Sequence, residues 1–400
     1  MQVKESNPMK KLVKTAAVLG MLGTIATGVY AFDFGGLFKN NTKFSTPSFE
    51  YAGLDQMDSL SGWVKVPLTQ DEKVYFSAEA DATFQYSNSN LSLGGQAGTP
   101  SFYLNLPLCK LTLYSNLWNG IFQLNAGRFT AADSTGMILS QTTDGIQGTF
   151  SSNYVKAILY AGYTGLTNSR TDYIIDGDSS TFSYDASAVY QFNSPYALTS
   201  LSVALPFLFS NQTLAFEGLA AFGLPGITGD NSGDNRYYLT ALMNGPIVKN
   251  LYYSVSTTFG LGDGVTNLSR AAFTFYPTVL DSSVALEILY ASGNNGFLSP
   301  FRGFTSQSAY LASGSTEYSG IIKAGLSGSI RPVSKLFISL GTDVVMSVAD
   351  SFGYSGFQWF TQLQYQPFTD LKVGLAANQF IGQDSSLNNM GISLNLTFAF

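Results

Sequence analysis

The sequence predicts an all-β protein, a transmembrane antiparallel up-and-down β-barrel of about 16 strands. Three observations predict this fold: few charges, an N-terminus of the export type, and segments in which apolar and polar residues alternate. Only 12% of the 400 residues are charged, whereas soluble domains usually carry about 25%. Aromatic residues make up 14% of the chain, which is far more than a disordered chain contains.

Two absences limit the chemistry of this chain. It contains no histidine, and Cys109 is its only cysteine. Zinc, haem and iron–sulfur sites therefore lack their usual ligands, and Ser–His and Cys–His nucleophile pairs cannot form. The net charge of −6 also disfavours binding to nucleic acid. We expect neither an enzyme nor a cofactor-binding protein.

The N-terminus has the pattern of a signal peptide. Basic residues follow Met9, an apolar stretch runs from residue 15 to residue 26, and Val29 and Ala31 fit a cleavage site. The apolar stretch is too short to span a membrane comfortably. Residues 1–31 are therefore predicted to be a signal peptide whose translation starts at Met1 or Met9, with a retained anchor as the alternative. The mature protein is expected in the bacterial outer membrane.

Alternation is clearest in residues 74–86. Even-numbered positions carry Val, Phe, Ala and Tyr, whereas odd-numbered positions carry mainly polar residues, including Glu79 and Asp81. Successive side chains of a strand point to opposite sides, so a barrel wall in lipid shows this pattern. It recurs in segments 182–192, 251–259, 336–347 and 357–366. A soluble β-sandwich would alternate as well, but it would carry more charged residues on its outer faces.

The C-terminal strand indicates where the barrel is assembled. One face of this predicted strand is apolar and ends on the last residue: Ile392, Leu394, Leu396, Phe398 and Phe400. Such a strand resembles the C-terminal insertion signal that the barrel-assembly machinery recognises. We therefore expect this machinery and outer-membrane lipid among the partners.

Counting back from Phe400 predicts short turns that alternate with long outer loops. Short turns with proline are expected at 244–247, 276–282, 329–335 and 366–370, and long loops at 223–235, 260–268, 292–316, 349–356 and 381–390. Two strands within 198–222 would invert every upstream loop, so this segment is counted as a single interrupted strand. This count places further long outer loops at 87–99, 129–143 and 165–180. The barrel then occupies residues 61–400 with about 16 strands, in a range of roughly 14–18. Residues 32–60 are left as a plug or a periplasmic extension.

The predicted architecture resembles that of the general porins. The resemblance rests on the export signal, the amphipathic strands, the long outer loops and the aromatic terminus. Residues 125–129, 133–136 and 144–145 also look like porin strand-to-loop segments. The resemblance implies passive diffusion of small hydrophilic solutes and a homotrimer.

The lumen of the predicted barrel is charged. The residues expected to face it are Glu79, Asp81, Lys156, Asp185, Glu217, Glu287, Lys323, Asp343 and Lys372. Acids outnumber bases in this set, and rings of carboxylates favour cations. A mild cation preference is expected, and the alternative is that the charges pair with one another and form no filter.

Acidic residues also cluster in two outer loops. One cluster contains Asp172, Asp176 and Asp178, and the other contains Asp230 and Asp234. Calcium sites use such oxygen-rich loops, but neither spacing matches a complete EF-hand loop. We therefore expect solvated loops and no metal site.

Two other functions are compatible with a barrel. A transporter for hydrophobic substrates, similar to the fatty-acid transporters, would need a plug such as residues 32–60. The Asn-Pro-Ala signature of that family's plug is absent. A surface adhesin would bind partners through outer loops such as 292–316, which contains Phe297, Phe301 and Phe304. The same loop is also long enough to fold into the lumen and constrict it.

Overall fold

The computed structural model describes residues 32–46, 52–88, 98–172, 174–175, 185, 187–226, 229–262, 264–294, 296–305, 319–349 and 351–400. The predicted signal peptide, residues 1–31, lies outside this range. Within these residues, no helix has the length and apolar character needed to cross a membrane.

The described residues form strands joined by turns and loops. The strands are β1 (Asp33–Ser45), β2 (Gly53–Pro67), β3 (Val74–Asn88), β4 (Thr99–Leu117), β5 (Gly120–Ala132), β6 (Ser140–Ser151), β7 (Lys156–Tyr163), β8 (Tyr196–Leu205), β9 (Thr213–Gly223), β10 (Pro225–Gly226), β11 (Gly229–Asp230), β12 (Asn235–Val248), β13 (Leu251–Leu261), β14 (Val265–Phe275), β15 (Ser283–Ala291), β16 (Ile321–Val333), β17 (Leu336–Ser347), β18 (Gly353–Phe368), β19 (Leu371–Gly382) and β20 (Asn389–Ala399). A 3₁₀ turn covers Ser385–Leu387.

An 18-stranded antiparallel sheet forms the wall and closes on itself. Each wall strand pairs with its neighbours along the chain, and β9 pairs with β12 past the separate β10–β11 hairpin. Closure comes from β1 and β20, which pair from Leu37 opposite Ala399 to Ser45 opposite Gly391. A closed wall leaves no unpaired strand edge. The predicted all-β barrel is confirmed, with 18 strands instead of about 16.

The shortest turns lie at the end of the barrel that carries Asp33 and Phe400, and the longest loops lie at the opposite end. The turns at 118–119, 249–250, 334–335 and 369–370 each contain two residues. Trp118, Asn119 and Asn250 adopt positive φ angles of 45°, 59° and 67°, as the tight turns of twisted hairpins require. The predicted turn at 276–282 is confirmed, and the predicted turn at 244–247 lies a few residues further along.

Three prolines within the wall lie where the ladder is irregular. Pro107 lies in a bulge of β4. The bulge falls between Asn105, which pairs with Asp81 of β3, and Leu108, which pairs with Glu79. Pro332 and Pro367 lie in register shifts beside short turns. Proline has no N–H to donate, so a bulge tolerates it better than a regular ladder does.

Residues 33–45 and 53–67 are wall strands β1 and β2, so the boundary expected at residue 61 was wrong. β1 and β2 pair along their full length, from Asp33 opposite Lys65 to Ser45 opposite Gly53. Without β1, the terminal strand β20 would have an unpaired edge in lipid, which costs several kcal/mol for each unpaired group. These residues belong to the wall and do not plug the lumen.

Residues 198–222 form two strands, β8 and β9, around a turn at 206–212, so the single interrupted strand was wrong. The upstream loops nevertheless lie at the predicted end of the barrel, because the strand expected at residues 182–192 is missing from the wall. Described residues 187–192 of segment 182–192 lie in the loop between β7 and β8. Residues 182–184 and 186 of that segment lie outside the described range.

Candidate channel lumen

The two faces of the wall differ in chemistry, and this difference identifies the lumen. One face presents exposed apolar side chains on nearly every strand, among them Leu60, Leu104, Phe216, Leu239, Leu286, Leu326, Leu340 and Leu394. The opposite face carries Ser, Thr, Asn, Gln and charged residues, and segments of two long loops pack against it. The polar face therefore lines the lumen, and the apolar face is the one that lipid would contact.

The β5–β6 hairpin leaves the wall and enters the lumen. Pairing between β4 and β5 stops at Cys109 opposite Arg128, whereas β5 and β6 stay paired up to Ala132 opposite Ser140. Gly127 adopts a φ of 123°, and a Cβ there would clash with the carbonyl oxygen of Cys109. Only glycine tolerates this conformation well. The sequence-based expectation of an outer loop at residues 129–143 was therefore wrong.

The tip of this hairpin is tied to the wall at β8 and β9. The carboxylate of Asp133 accepts hydrogen bonds from the backbone N–H groups of Ile138 and Leu139, at 2.9 and 2.8 Å, and this holds the turn together. The backbone N–H of Ser134 donates to Oε2 of Glu217 on β9 at 2.6 Å. The Ser134 hydroxyl lies 3.1 Å from that of Ser202 on β8. The hairpin thus crosses part of the lumen.

The loop between β15 and β16 packs against the same hairpin. Phe301 and Phe304 are 1% and 0% exposed, whereas Phe297 is 83% exposed. The N–H groups of Phe304 and Thr305 both donate to the carbonyl oxygen of Ile138, at 3.0 and 2.9 Å. Of the two outcomes that the sequence left open for this loop, its described residues 292–305 adopt the inward one. Residues 306–318 lie outside the described range.

Aromatic side chains join these segments to the wall. The rings of Phe304 and Tyr196 on β8 meet edge to face, with centroids 5.1 Å apart. The guanidinium of Arg236 on β12 lies 5.7 Å from the Phe304 ring and 5.6 Å from the Tyr196 ring. A cation over an aromatic face is attracted by the ring quadrupole. The loop is therefore held by apolar burial and by this cation–π contact together.

The β7–β8 loop fills the gap that the hairpin leaves beside β4. The N–H of Leu104 donates to the carbonyl oxygen of Val189 at 2.9 Å, and Nδ2 of Asn168 donates to the carbonyl oxygen of Leu104 at 2.8 Å. Arg128 makes a two-bond ion pair with Asp144 and also donates to the Tyr190 hydroxyl at 3.0 Å. This loop segment completes the wall beside β4, so its polar and apolar residues alternate as those of a strand do, although the segment is not a strand.

The acidic loop residues Asp172, Asp230 and Asp234 accept hydrogen bonds from the protein itself. Asp176 and Asp178 lie outside the described residues. Asp172 is buried, and its carboxylate accepts the N–H of Thr142 at 2.9 Å. Burial raises the pKa of Asp172, and the hydrogen bonds from Thr142 and Thr171 offset only part of that rise. Asp230 accepts the N–H of Ser232, and this bond holds the pKa of Asp230 below its usual range. Among the described residues, no group of acidic, histidine and cysteine side chains could hold a metal ion.

Asp234 belongs to a cluster with two arginines. Its Oδ2 lies 2.5 Å from Nη2 of Arg236 and 3.7 Å from Nη2 of Arg302, and it accepts the Tyr196 hydroxyl at 2.7 Å. Burial raises the pKa of Asp234, but the ion pair with Arg236 outweighs burial, so the pKa lies below its usual range. A cavity of about 590 Å³ adjoins the cluster and is lined in part by Arg236, Tyr238, Ser299 and Arg302.

A second charged set runs across the luminal face of four neighbouring strands. Arg270 on β14 pairs with Glu287 on β15 at 2.5 Å. Lys323 on β16 lies 3.4 Å from Glu287 and 4.0 Å from Asp343 on β17. We call Arg270, Glu287, Lys323 and Asp343 the charge ladder. It brings together three of the pore-lining candidates with Arg270, which the sequence analysis did not include.

The other pore-lining candidates are spread around the barrel. Glu79 and Asp81 lie on the polar face of β3, Lys156 lies on that of β7, and Lys372 lies on that of β19. Glu217 holds the hairpin, and Asp185 lies in the β7–β8 loop, where it accepts the N–H of Ser187 and so has a lowered pKa. Asp185 was assigned to a strand that the wall does not contain.

Several luminal bases were missed by sequence reasoning. Register places Lys39, Lys43, Lys65, Lys110, Arg236 and Arg270 on the polar face of their strands. Lys39 and Lys43 lie in residues 32–60, which were left as a plug or a periplasmic extension. The bulge at Pro107 shifts Lys110 onto the luminal phase. Alternation within β1 and β2 would have identified the first three, but Asn40, Thr42, Gln56 and Asp58 interrupt it on the outer face.

The barrel resembles solved bacterial structures. OccK5 (OpdH) of Pseudomonas aeruginosa matches with a TM-score of 0.60 and 11% identity over 92% of this chain and 98% of that chain. OpdK with vanillate, from the same species, gives 0.59 and 10% over 92% and 98%. OccAB1 of Acinetobacter baumannii gives 0.59 and 11% over 92% and 96%. The chain has an outer-membrane porin fold.

These likenesses establish the porin fold and nothing finer, because the identities are low. No protein-family model matches the sequence. No curated protein matches it either. Within this porin fold, the β5–β6 hairpin and residues 292–305 narrow the lumen from the side of β8, β9 and β12.

Proposed function

We propose that the protein is a channel of the bacterial outer membrane for passive diffusion of small hydrophilic solutes. The observation that carries this proposal is a closed 18-stranded wall whose luminal face is polar. Barrels of this size are wide enough to hold water. Lys39, Lys43 and Lys372 are exposed on the luminal face, on the side away from the inward loops. This supports a passage along β1, β19 and β20.

Conductance in planar bilayers tests the proposal. Refolded protein is expected to give stepwise open currents in potassium chloride, and liposomes that contain it are expected to swell in a small sugar. A folded barrel with no conductance, together with uptake of long-chain fatty acids, would favour the hydrophobic-substrate transporter. The segment that would have been the plug of such a transporter does not fill the lumen, because residues 33–45 and 53–67 are wall strands.

The adhesin alternative is also less well supported. Of the three phenylalanines in the 292–316 loop, Phe301 and Phe304 are buried and only Phe297 is exposed. Among the described residues of this loop, Phe297 is therefore the aromatic side chain that is exposed for binding. We retain the channel as the function that the geometry supports best.

Charge selectivity is a separate part of the proposal. A mild cation preference was expected from an excess of acids, but the luminal face also carries Lys39, Lys43, Lys65, Lys110, Arg236 and Arg270. Selectivity then depends on which charges are paired rather than on their number. The reversal potential across a salt gradient measures this preference, and a chloride-selective value would contradict the cation preference.

A second candidate function is binding of a solute that carries a carboxylate. Nη2 of Arg302 is buried without a hydrogen-bond partner and adjoins the 590 Å³ cavity. Vanillate, named with the similar OpdK structure, is such a solute, and an arginine fork suits a carboxylate. Vanillate is expected to reduce the open current, less so in Arg302→Gln. Arg331→Gln, at a short turn, serves as the control, and equal block in all three would exclude this site.

A homotrimer is the oligomer that the porin resemblance implies. The outer face of β1 and β2 supports an interface, because Asp58 accepts hydrogen bonds from Asn40 at 2.6 Å and from Gln56 at 3.0 Å on the side that lipid would contact. A charged group in lipid is costly unless it is covered. Asp58→Leu is expected to shift cross-linked trimers towards monomers, and an unchanged pattern would place the contact elsewhere.

The barrel-assembly machinery is the other proposed partner. Ile392, Leu394, Leu396 and Phe398 alternate along the outer face of β20, and Phe400 follows the strand. Removal of Phe400 is expected to slow membrane insertion in cells, while the purified chain still refolds in detergent. Normal insertion of the truncated chain would exclude a role for the terminal residue.

A further inference from the structure

The charge ladder is built around a glycine. Gly325 on β16 lies opposite Glu287 on one side and Asp343 on the other. A Cβ on Gly325 would clash with Oδ1 of Asp343. The absence of a side chain leaves space between the two carboxylates. Lys323, which lies on the same face of β16, reaches both carboxylates from its neighbouring position.

Each charged side chain of the ladder has a neighbour of opposite charge. Glu287 lies between Arg270 and Lys323, and Lys323 lies between Glu287 and Asp343. Gln358 on β18 ends the series by donating from Nε2 to Oδ2 of Asp343 at 2.5 Å. Because the two bases and two acids alternate, this quarter of the luminal face carries no net charge.

The ladder is accessible at one end and buried at the other. The side chains of Arg270 and Glu287 are 35% and 27% exposed, whereas those of Lys323 and Asp343 are each 9% exposed. Ions in the lumen therefore meet the Arg270–Glu287 pair directly. Partly desolvated charges are screened less by salt than fully exposed ones are.

We propose that Glu287 determines the charge selectivity of the channel by neutralising Arg270 and Lys323. Glu287 is the residue that contacts both bases. With it in place, the ladder has no net charge. Without it, the ladder carries a net charge of +1, because Asp343 still pairs with Lys323 and the more exposed Arg270 has lost its partner. The electric field of fixed charges on the wall of a narrow pore changes the local concentration of small ions. This inference rests on the proposed channel function.

Reversal potentials in a potassium chloride gradient test the proposal on the full-length barrel. Glu287→Gln is expected to lower the ratio of potassium to chloride permeability by about twofold or more. The double variant Arg270→Gln/Glu287→Gln has the same net charge as the natural chain and is expected to restore the original ratio. Glu72→Gln, which removes a carboxylate from the 68–73 turn, controls for the change in net charge and is expected to have no effect.

The outcomes distinguish a failure of the ladder proposal from a failure of the proposed channel function. If the natural protein conducts and Glu287→Gln leaves the ratio unchanged, the ladder proposal is wrong while the channel stands. The same conclusion follows if the double variant is shifted as far as the single one. If no variant conducts, including the natural chain, the channel itself is excluded. Gel mobility with and without heating shows that each variant is folded, and Glu287→Asp provides a conservative variant that keeps the charge.

Discussion

Gly36 and Phe400 join the first and last strands of the wall. The N–H of Gly36 donates to the carbonyl oxygen of Phe400 at 2.8 Å, and the N–H of Phe400 donates back to Gly36 at 3.0 Å. The Phe400 ring lies directly over Gly36, where a Cβ would clash with it. The ring also stacks on Phe398 with a centroid separation of 6.1 Å. The last residue of the chain is thus part of the closure between β1 and β20.

Gly36→Ala is expected to destabilise this closure. The added methyl group meets the Phe400 ring, and overpacking of this kind costs about 1–3 kcal/mol. Thermal unfolding followed by heat-modifiable gel mobility should show a lower midpoint. Gly62→Ala on β2 is the matched control, because no atom lies within 4 Å of the position that its Cβ would take. Equal midpoints for both variants would show that the Phe400 ring contributes little.

Phe304→Ala is expected to loosen the inward segment 292–305. The ring is fully buried against Tyr196, and truncation of a buried phenylalanine costs about 3–5 kcal/mol. Single-channel recordings should show a larger and noisier open current because the segment narrows the lumen. Phe297→Ala in the same loop is the control, since its ring is 83% exposed. A current like that of the natural protein would mean that this segment does not limit conductance.

Acid is expected to open the Asp234 cluster. The pKa of Asp234 is lowered in the folded state by its ion pair with Arg236. A carboxylate whose pKa is lowered by folding stabilises the folded state at pH values above its pKa in the unfolded chain, near 3.9. This contribution is lost as the pH falls through the pKa in the folded state. The protection factors of residues 229–235 in hydrogen exchange should therefore fall below about pH 4. In Asp234→Asn, these protection factors should already be low at pH 7 and should change little on acidification.

Asp172 is expected to respond to pH in the opposite direction. Burial raises its pKa, so the folded state binds a proton more tightly than the unfolded state does. The contribution of Asp172 to stability therefore falls as the pH rises from the unfolded value through the raised folded pKa. Asp172→Asn keeps an acceptor for Thr142 without the buried charge, and it should increase exchange protection of residues 187–195 at pH 7. Lower protection would show that the charge itself holds the loop.

The sequence predicted much of the fold because alternation is a local property of a strand. Residues 74–86 and 392–400 place apolar side chains on one face and polar ones on the other, whichever strands pair with them. The same property explains the error at residues 182–192. A segment that completes the wall beside β4 also needs one polar and one apolar face, so its pattern does not show whether it is a strand.

The site was less predictable than the wall because it depends on register between strands. Glu287, Lys323 and Asp343 were assigned to the lumen from their phase, but their neutralisation depends on neighbours across the sheet. Arg270 and Glu287 meet because Ala272 pairs with Glu287 and Arg270 pairs with Leu289. No pattern within β14 or β15 alone contains that information.

By itself, the sequence determined an all-β barrel, the outward face of its strands and a terminal strand that ends on Phe400. Tertiary structure decided that β1 and β2 belong to the wall, that the β5–β6 hairpin enters the lumen and that the residues of the charge ladder pair. The physical reason is the range of the interactions. A strand's two faces follow from the pleat of its own backbone, whereas closure, inward loops and ion pairs depend on contacts between residues far apart in the chain.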